Sequence, residues 1–185
     1  MIKKIVTKIK GLYILKNVSH KDSRGVFREL WNKSMMHDLQ LNCSFDQDNI
    51  SISKKHVIRG LHFQNKPHEQ LKYIQVIQGS ILDVAVDIRK QSLTFGQHIA
   101  LEISNKNNRG LWIPKGFAHG FLALEDNTIV IYKCAGAYNR DYENTIKWND
   151  PELNINWGIN NPKISTKDSQ GISFETYTKD QNIQL

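Results

Sequence analysis

The feature that most constrains the fold of this chain is a series of short β-rich runs between about residues 46 and 138. The run LKYIQVIQGSILDVAVDIR at 71–89 has strand-like alternation around the turn signal QGS at 78–80. The run GFLALEDNTIVIYK at 120–133 repeats the pattern around EDN at 125–127. Short strands separated by turn signals about every ten residues are typical of an antiparallel sandwich or barrel. We therefore predict an all-β fold.

We predict a single domain over residues 1–185. This length supports one substantial core, and no shift in composition marks a boundary between two domains. Residues 46–138 form the expected barrel core. Residues 1–45 contain the expected N-terminal strands and a short helix near 32–40. Residues 139–185 are rich in Asn, Asp, Lys and Ser, which predicts loops and at most one helix.

The net charge of +7 allows the chain to bind an anion, but its distribution argues against nucleic acid. Lys and Arg are scattered in ones and twos, and no arginine-rich run or basic helical stripe is present. The first fifteen residues, MIKKIVTKIKGLYIL, interrupt their apolar residues too often for a signal peptide or membrane span. Cys43 and Cys134 are too few for a disulfide framework. We expect reduced thiols, a cytoplasmic location and no membrane partner.

The segment VIRGLHFQ at 57–64 places polar groups inside an apolar strand. Burying such groups without partners costs on the order of several kcal/mol. We therefore expect a functional reason for Arg59, His62 and Gln64 in this strand. Strict strand alternation puts Arg59 and His62 on opposite faces of a sheet. We expect a β-bulge at Gly60 to bring them to the same face.

The segment IPKGFAHGF at 113–121 contains a proline that ends one strand, a glycine that permits a turn, and His119 in the next strand. This pattern resembles the second motif of the cupin superfamily of jelly-roll barrels. The first cupin motif has His-x-His, whereas this chain has His62-Phe63-Gln64 and lacks the second histidine. A metal site would have to be assembled from other side chains, and the candidates are His62, His68, Glu69 and His119.

Seven segments in order along the chain resemble the dTDP-4-dehydrorhamnose 3,5-epimerase family. They are DSRGVFRE (22–29), QDNISIS (47–53), RGLHFQ (59–64), DVAVDIRKQSLTFG (83–96), IPKGFAHGF (113–121), WNDPELNINW (148–157) and STKD (165–168). The resemblance implies a cupin-type jelly-roll β-barrel with a few short peripheral helices, and a homodimer to which the N-terminal strands contribute. It also implies epimerisation of a nucleotide-linked 4-keto-6-deoxyhexose without a metal or other cofactor.

Epimerisation beside a ketone needs a base, stabilisation of the enolate oxygen, and an acid on the opposite face. Histidine suits the base, because its unperturbed pKa of about 6.5 lets it accept protons at neutral pH. The resemblance assigns the base to His62, held by Asp168, with Lys72 near the enolate oxygen and Tyr132 as the acid. The alternatives are a satisfied core histidine, a lysine that protects an edge strand, and a core or rim tyrosine.

The resemblance also assigns substrate contacts. Arg59 would face a diphosphate, because a guanidinium matches phosphate oxygens. Gln47 and Asn49 match positions near the nucleotide and diphosphate. His119 matches a histidine that lines the pocket, with a structural hydrogen bond as the alternative.

Four further residues match substrate contacts of the family. Arg24 and Glu29 match residues that one subunit contributes to the site of its neighbour, and an ordinary turn with an exposed strand is the alternative. Tyr138 and Lys167 match contacts to the nucleotide or its phosphates.

The chain departs from the family pattern at Gly158, where proline usually follows the tryptophan, and at Leu71-Lys72-Tyr73, which replaces the commoner KLV. These departures bear on the substrate rather than on the fold. We expect inversion at C3, C5 or both of a dTDP-4-keto-6-deoxyhexose in deoxysugar biosynthesis of the L-rhamnose type. The alternatives are a GDP- or CDP-linked sugar, a 4-keto-heptose, a metal-dependent cupin enzyme, and a sugar-binding barrel without activity.

Overall fold

The computed structural model describes residues 2–180, which form thirteen strands, three short α-helices and one 3-10 turn. The N-terminal elements are β1 (Lys3–Val6), β2 (Tyr13–Lys16), β3 (Ser19–Asp22), β4 (Gly25–Arg28) and α1 (Lys33–Asp38). The central strands are β5 (Gln47–Ser53), β6 (Ile58–Gln64), β7 (Leu71–Gln78), β8 (Ser80–Asp87), β9 (His98–Ser104), β10 (Arg109–Ile113), β11 (Phe117–Ala123) and β12 (Thr128–Ala135). The 3-10 turn (Arg140–Tyr142), β13 (Glu143–Thr145), α2 (Thr166–Ser169) and α3 (Phe174–Lys179) follow.

Two antiparallel sheets pack face to face and make the barrel. The six-stranded sheet has the order β1-β2-β10-β7-β12-β5, and the five-stranded sheet has the order β13-β6-β11-β8-β9. Their inner faces share an apolar core that includes Ile74 and Val130 from one sheet and Ala85, Phe117 and Phe121 from the other. The predicted all-β, cupin-type jelly-roll fold is confirmed.

The two long β-rich runs form strands that change sheet at their turn signals. β7 belongs to the six-stranded sheet and β8 to the five-stranded sheet, although only Gly79 separates them. β11 and β12 are divided between the sheets in the same way. Gly79 (φ +77) and Asn127 (φ +53) adopt left-handed backbone conformations, which these two residue types tolerate best. The predicted turns are therefore corners of the barrel rather than hairpins.

The chain ends cover the outer faces of the sheets. The helix predicted near 32–40 is confirmed as α1, where the Asn32 side chain accepts a hydrogen bond from the Met35 N–H and caps the helix. Met36 packs with Tyr73 and Trp112 on the outside of the six-stranded sheet. The C-terminal segment has two helices where at most one was expected, because Ser165 and Ser173 each cap a separate short helix.

On the five-stranded side, α3 brings Phe174 and Tyr177 against the outer face of the sheet. The Tyr177 hydroxyl donates a 2.5 Å hydrogen bond to the Ile88 carbonyl. Among residues 2–180, no helix has the length and apolar character needed to cross a membrane.

Candidate active site

A cavity of about 500 Å³ opens between the inner faces of the two sheets. Arg59, His62 and His119 line it from the five-stranded sheet, and Lys72 and Tyr132 line it from the six-stranded sheet. The segment that leads into α2 closes one side with Lys163, Ile164, Ser165, Lys167 and Asp168. The cavity therefore combines most of the titratable residues that the sequence singled out.

A bulge in β6 explains how Arg59 and His62 both reach this cavity. His62 lies opposite His119 and Arg59 lies opposite Phe121, so three steps along β6 match two steps along β11. Gly60 at the bulge has φ +126, and a Cβ atom there would lie 2.5 Å from the Gly120 Cα. Only glycine fits such a close approach of two backbones. The bulge expected at Gly60 is confirmed.

His62 and Asp168 form a hydrogen-bonded pair although 106 positions separate them. The His62 Nε2 lies 2.6 Å from the Asp168 Oδ1. The Asp168 backbone N–H donates to the Ser165 Oγ, and the Gly60 N–H donates to the Asp168 Oδ2 at 3.4 Å. Burial raises the pKa of Asp168, but the hydrogen bond and charge of His62 outweigh burial and leave that pKa lowered. The carboxylate is thus held ionised beside the imidazole.

His119 forms a second pair of the same kind next to the first. Its Nε2 lies 2.6 Å from the Asp83 Oδ1, and Asp83 is fully buried with no partner on Oδ2. His119 both lines the cavity and makes the structural hydrogen bond that was its alternative role. Sequence reasoning missed Asp83, although an aspartate inside the apolar run DVAVD is the same kind of signal that drew attention to His62.

Lys72 and Tyr132 share the inner face of the six-stranded sheet. Lys72 pairs with Cys134 and Tyr132 pairs with Ile74 across β7 and β12, so both side chains point the same way. Desolvation lowers the pKa of Lys72. Burial raises the pKa of Tyr132, which keeps its phenol protonated and able to donate. These groups face the two histidines across the cavity.

Arg59, Gln47 and Asn49 lie toward the β5 side of the cavity. The Arg59 Nε donates to the Ser53 Oγ at 3.1 Å. Asn49 pairs with Tyr132 across β5 and β12, and the Gln47 Nε2 donates to the Asn49 Oδ1 at 2.8 Å. Gln47 and Asn49 share the sheet face of Tyr132 but are not among the residues that line the cavity.

Arg24 and Glu29 lie away from this cavity, on either side of the β4 strand. The Arg24 guanidinium pairs with Asp22 at 2.6 Å, and its side chain is 89% exposed. Glu29 accepts a hydrogen bond from Asn32. The structure therefore does not bring these two residues to the site of their own chain.

Glu143 is a cavity residue that sequence reasoning missed. It lines the cavity beside Lys167, whose Nζ lies 2.5 Å from its Oε2. The Tyr138 hydroxyl donates to the same oxygen at 2.9 Å. A single glutamate in the loop-rich sequence NRDYENT carries no periodic signal that could have predicted this role.

The structure brings only two of the four candidate metal ligands together, His62 and His119 on neighbouring strands. His62 and His119 each bind a separate aspartate, whereas His68 packs on the Tyr142 ring with 4.5 Å between ring centroids. Within residues 2–180, no group of three or more His, Cys, Asp or Glu side chains is placed to hold a metal ion.

Comparison with known proteins identifies similar chains. The family model described as dTDP-4-dehydrorhamnose 3,5-epimerase matches residues 6–176. The dTDP-4-dehydrorhamnose 3,5-epimerase of Methanothermobacter thermautotrophicus is 45% identical over 156 residues, which cover 84% of this chain and 83% of the relative.

Two solved structures are similar over almost the full length. The Bacillus anthracis dTDP-4-dehydrorhamnose 3,5-epimerase with TDP and PPi bound has a TM-score of 0.92 and 43% identity, and covers 94% of this chain and 100% of its own. The Legionella pneumophila dTDP-6-deoxy-D-glucose-3,5-epimerase in complex with dTDP-4-keto-L-rhamnose has a TM-score of 0.93 and 37% identity. The match covers 100% of this chain and 97% of the Legionella chain.

Proposed function

Since the chain belongs to the dTDP-4-dehydrorhamnose 3,5-epimerase family, we propose that it is an isomerase that inverts C3 and C5 of a dTDP-4-keto-6-deoxyhexose. The observation that carries this proposal is the position of His62 and Tyr132 on opposite walls of one cavity, with Lys72 on the same wall as Tyr132. Inversion requires that a proton leave one face of the sugar ring and return to the other. The two walls supply a base and an acid for these two faces.

In the proposed reaction, His62 removes the proton from a carbon next to the C4 ketone. The electrons of the broken C–H bond form a C=C bond, and the carbonyl oxygen becomes an enolate oxygen. The Lys72 ammonium stabilises that oxygen, and its lowered pKa makes it a better proton donor. The enolate then collapses to the ketone as its carbon takes the proton of the Tyr132 hydroxyl on the opposite face.

After each inversion, His62 holds one extra proton and Tyr132 lacks one. Proton exchange with water restores the neutral imidazole and the phenol. Asp168 stays ionised throughout, because its pKa is lowered. Its carboxylate fixes the orientation of the His62 imidazole and stabilises the imidazolium that forms. The steps transfer no electrons to an acceptor, and the Lys72 ammonium supplies the positive charge that the enolate oxygen needs, so we propose a reaction without a cofactor or a metal ion.

We propose that the substrate lies with its diphosphate near Arg59 and Lys167. Both cations line the cavity, and the Arg59 side chain already has its Nε bonded to Ser53, which fixes the direction of its remaining donors. Gln47, Asn49 and Tyr138 would contact the nucleotide, and His119 would contact the sugar. The position of Asn49 beside Tyr132 supports this direction of binding.

We also propose a homodimer in which Arg24 and Glu29 complete the site of the neighbouring subunit. Strand β4, which lies between them, exposes Val26 (64%) and Phe27 (70%), and the edge strand β5 exposes Ile50 (67%) and Ile52 (63%). Exposed apolar groups on a free sheet edge favour association. Analytical ultracentrifugation should give a mass of twice the 21.4 kDa chain for the wild type and the mass of one chain for Phe27→Glu. The control Leu93→Glu, at another exposed site, should keep the mass of the dimer. A wild-type monomer would contradict the proposal.

Three further proposals concern the chain as a whole. We propose a single domain, because both sheets share one core. We propose a cytoplasmic location, supported by Cys43 and Cys134 as free thiols. We propose that neither nucleic acid nor a membrane is a partner, since the basic residues are scattered along the sequence.

The test of the reaction is NMR of the purified protein with dTDP-4-keto-6-deoxyglucose in heavy water, in which deuterium at C3 and C5 is followed separately. Deuterium at both carbons with an L-configured product is expected. Deuterium at one carbon would identify an epimerase of that carbon only. Exchange at neither carbon in folded protein would contradict the proposed substrate, and GDP- and CDP-linked sugars would then be tested. Metal analysis of the same sample tests the metal-dependent alternative.

A further inference from the structure

The hairpin of β3 and β4, residues 19–28, stands apart from the two sheets of the barrel. Its strands form a two-stranded sheet of their own, with Arg24 in the turn between them. Val26 and Phe27 are exposed on it. A two-stranded hairpin without further packing is at best marginally stable in water. The direction in which this hairpin points therefore depends on the contacts at its base.

Arg28, the last residue of β4, ties the end of the hairpin to the barrel. Its Nη1 donates to the Asn108 Oδ1 at 2.8 Å, and its Nη2 donates to the Val76 carbonyl at 2.8 Å. β10 pairs with β7 only as far as Gln75, so the guanidinium binds the carbonyl that follows the last pair of that ladder. Two bonds from one planar guanidinium fix the direction of the hairpin as well as its distance from the barrel.

The start of the hairpin is tied to the same place. The Asn17 backbone N–H donates to the Asn108 carbonyl at 2.9 Å. The Asn17 side-chain amide lies 3.3 Å from the hydroxyl of Tyr73, which is fully buried on β7. Tyr73 belongs to the segment at which this chain departs from the family pattern. Both ends of the hairpin thus meet at Asn108, beside the strand that carries Lys72 on its other face.

The Arg28 guanidinium is an expensive group to place at this position. It is half-buried, its hydrogen-bond partners are neutral oxygens, and burial lowers its pKa. Partial desolvation of a cation costs free energy that a neutral side chain would not lose. The two-pronged geometry of the guanidinium offsets this cost where the direction of the hairpin matters.

We propose that Arg28 is a positioning residue, which holds the hairpin at the angle from which Arg24 and Glu29 enter the site of the neighbouring subunit. This inference rests on the proposed function and its homodimer. Arg24 lies in the turn of the hairpin and Glu29 directly follows Arg28, so both residues move with it. Arg28 therefore serves the site of the other chain and makes no contact with the substrate.

The first test is steady-state kinetics of Arg28→Met with the dTDP-4-keto sugar. We expect a KM about five- to tenfold higher and a kcat changed less than twofold, because the hairpin contributes to binding and not to proton transfer. Arg28→Lys keeps the charge and one donor, and its KM should rise less than threefold. The control is Arg109→Met, which removes an exposed arginine next to Asn108 and should leave KM unchanged.

Mixed dimers separate positioning of the neighbour from a merely structural effect. They are assembled from chains with two different affinity tags, and His62→Asn inactivates one site in each dimer. In the first mixed dimer, one chain carries Arg28→Met and the other carries His62→Asn. Its active site receives an intact hairpin, so KM should equal that of the wild type. In the second, one chain carries both substitutions and the other is wild type. Its active site receives the loosened hairpin, so KM should rise five- to tenfold.

Both mixed dimers contain the same substitutions and one active site, so a general folding defect would affect them equally. Equal KM values for the two would overturn the proposal, and so would an unchanged KM for Arg28→Met. A monomeric Arg28→Met protein in ultracentrifugation would assign Arg28 to dimer formation and overturn the positioning role as well. An inactive wild type would contradict the proposed function itself, whereas a negative result with an active wild-type dimer concerns Arg28 alone.

Discussion

Replacing Asp168 by asparagine should reduce kcat about 1,000-fold without unfolding the protein. The Asp168 Oδ2 accepts from the Gly60 N–H, and Oδ1 faces the His62 Nε2 at 2.6 Å. An asparagine that keeps its oxygen toward Gly60 must turn its NH2 group toward Nε2. Nε2 then has to be an acceptor, so the proton of the neutral ring moves to Nδ1. The nitrogen that should accept the substrate proton is thereby blocked.

The opposite orientation of asparagine is no better, because it sets the NH2 group against the Gly60 N–H. A general base typically contributes about 100- to 10,000-fold, and a 1,000-fold loss corresponds to about 4 kcal/mol of transition-state stabilisation. Steady-state kinetics with the dTDP-4-keto sugar should show the loss in kcat with KM nearly unchanged. Asp126→Asn is the control, since Asp126 accepts a backbone N–H from Lys55 in an exposed loop. An Asp168→Asn variant with kcat within threefold of the wild type would refute the assignment.

Three further predictions concern the acid, the bulge and the low-pH stability. Tyr132→Phe should retain exchange of deuterium into the substrate by way of His62 but lose inversion about 100-fold, as measured by NMR; normal inversion would exclude Tyr132 as the acid. Gly60→Ala should lower the free energy of unfolding by about 3 kcal/mol in urea titrations, because its Cβ would meet Gly120 at 2.5 Å, whereas Gly158→Ala, with open space around it, should cost about 1 kcal/mol. Burial raises the pKa of Asp87, but hydrogen bonds led by Arg89 outweigh burial and leave that pKa lowered. The ionised Asp87 therefore stabilises the fold above its unfolded pKa of 3.8, and this stabilisation is lost as the pH falls through the pKa of Asp87 in the folded protein. The stability gap between wild type and Asp87→Asn should therefore narrow below about pH 3.8, and a constant gap would contradict this reasoning.

The strands of the barrel were predictable from the sequence, but their assignment to sheets was not. Alternation and turn residues locate β7, β8, β11 and β12 along the chain, because these signals are local. Whether a turn makes a hairpin or a corner depends on partners far away in sequence, such as β10 for β7. The second C-terminal helix was missed for a similar reason, since it is held by packing of Phe174 and Tyr177 on the barrel.

The candidate site was predictable where a local conflict marked it. Arg59 and His62 stood out because they interrupt an apolar strand, and Gly60 between them indicated the bulge. The contact of His62 with Asp168 joins residues 106 positions apart, and only the family resemblance suggested it. Asp83 was missed, because the apolar residues around it in DVAVD indicated only an ordinary strand. Glu143 was missed, because it lies in a segment without a periodic pattern.

The placement of His62 and Tyr132 on opposite sheets also sets what the reverse reaction requires. By microscopic reversibility, the backward step begins with a phenolate at Tyr132 and an imidazolium at His62. This microstate carries the same number of protons as the forward one, so both directions should share one pH profile. Burial raises the pKa of Tyr132 and makes the phenolate scarce. The kcat of the backward reaction should therefore be limited by the small population of enzyme with a Tyr132 phenolate and a His62 imidazolium. The pH of the solution does not change the ratio of this form to the form with a phenol and a neutral imidazole, because the two carry the same number of protons.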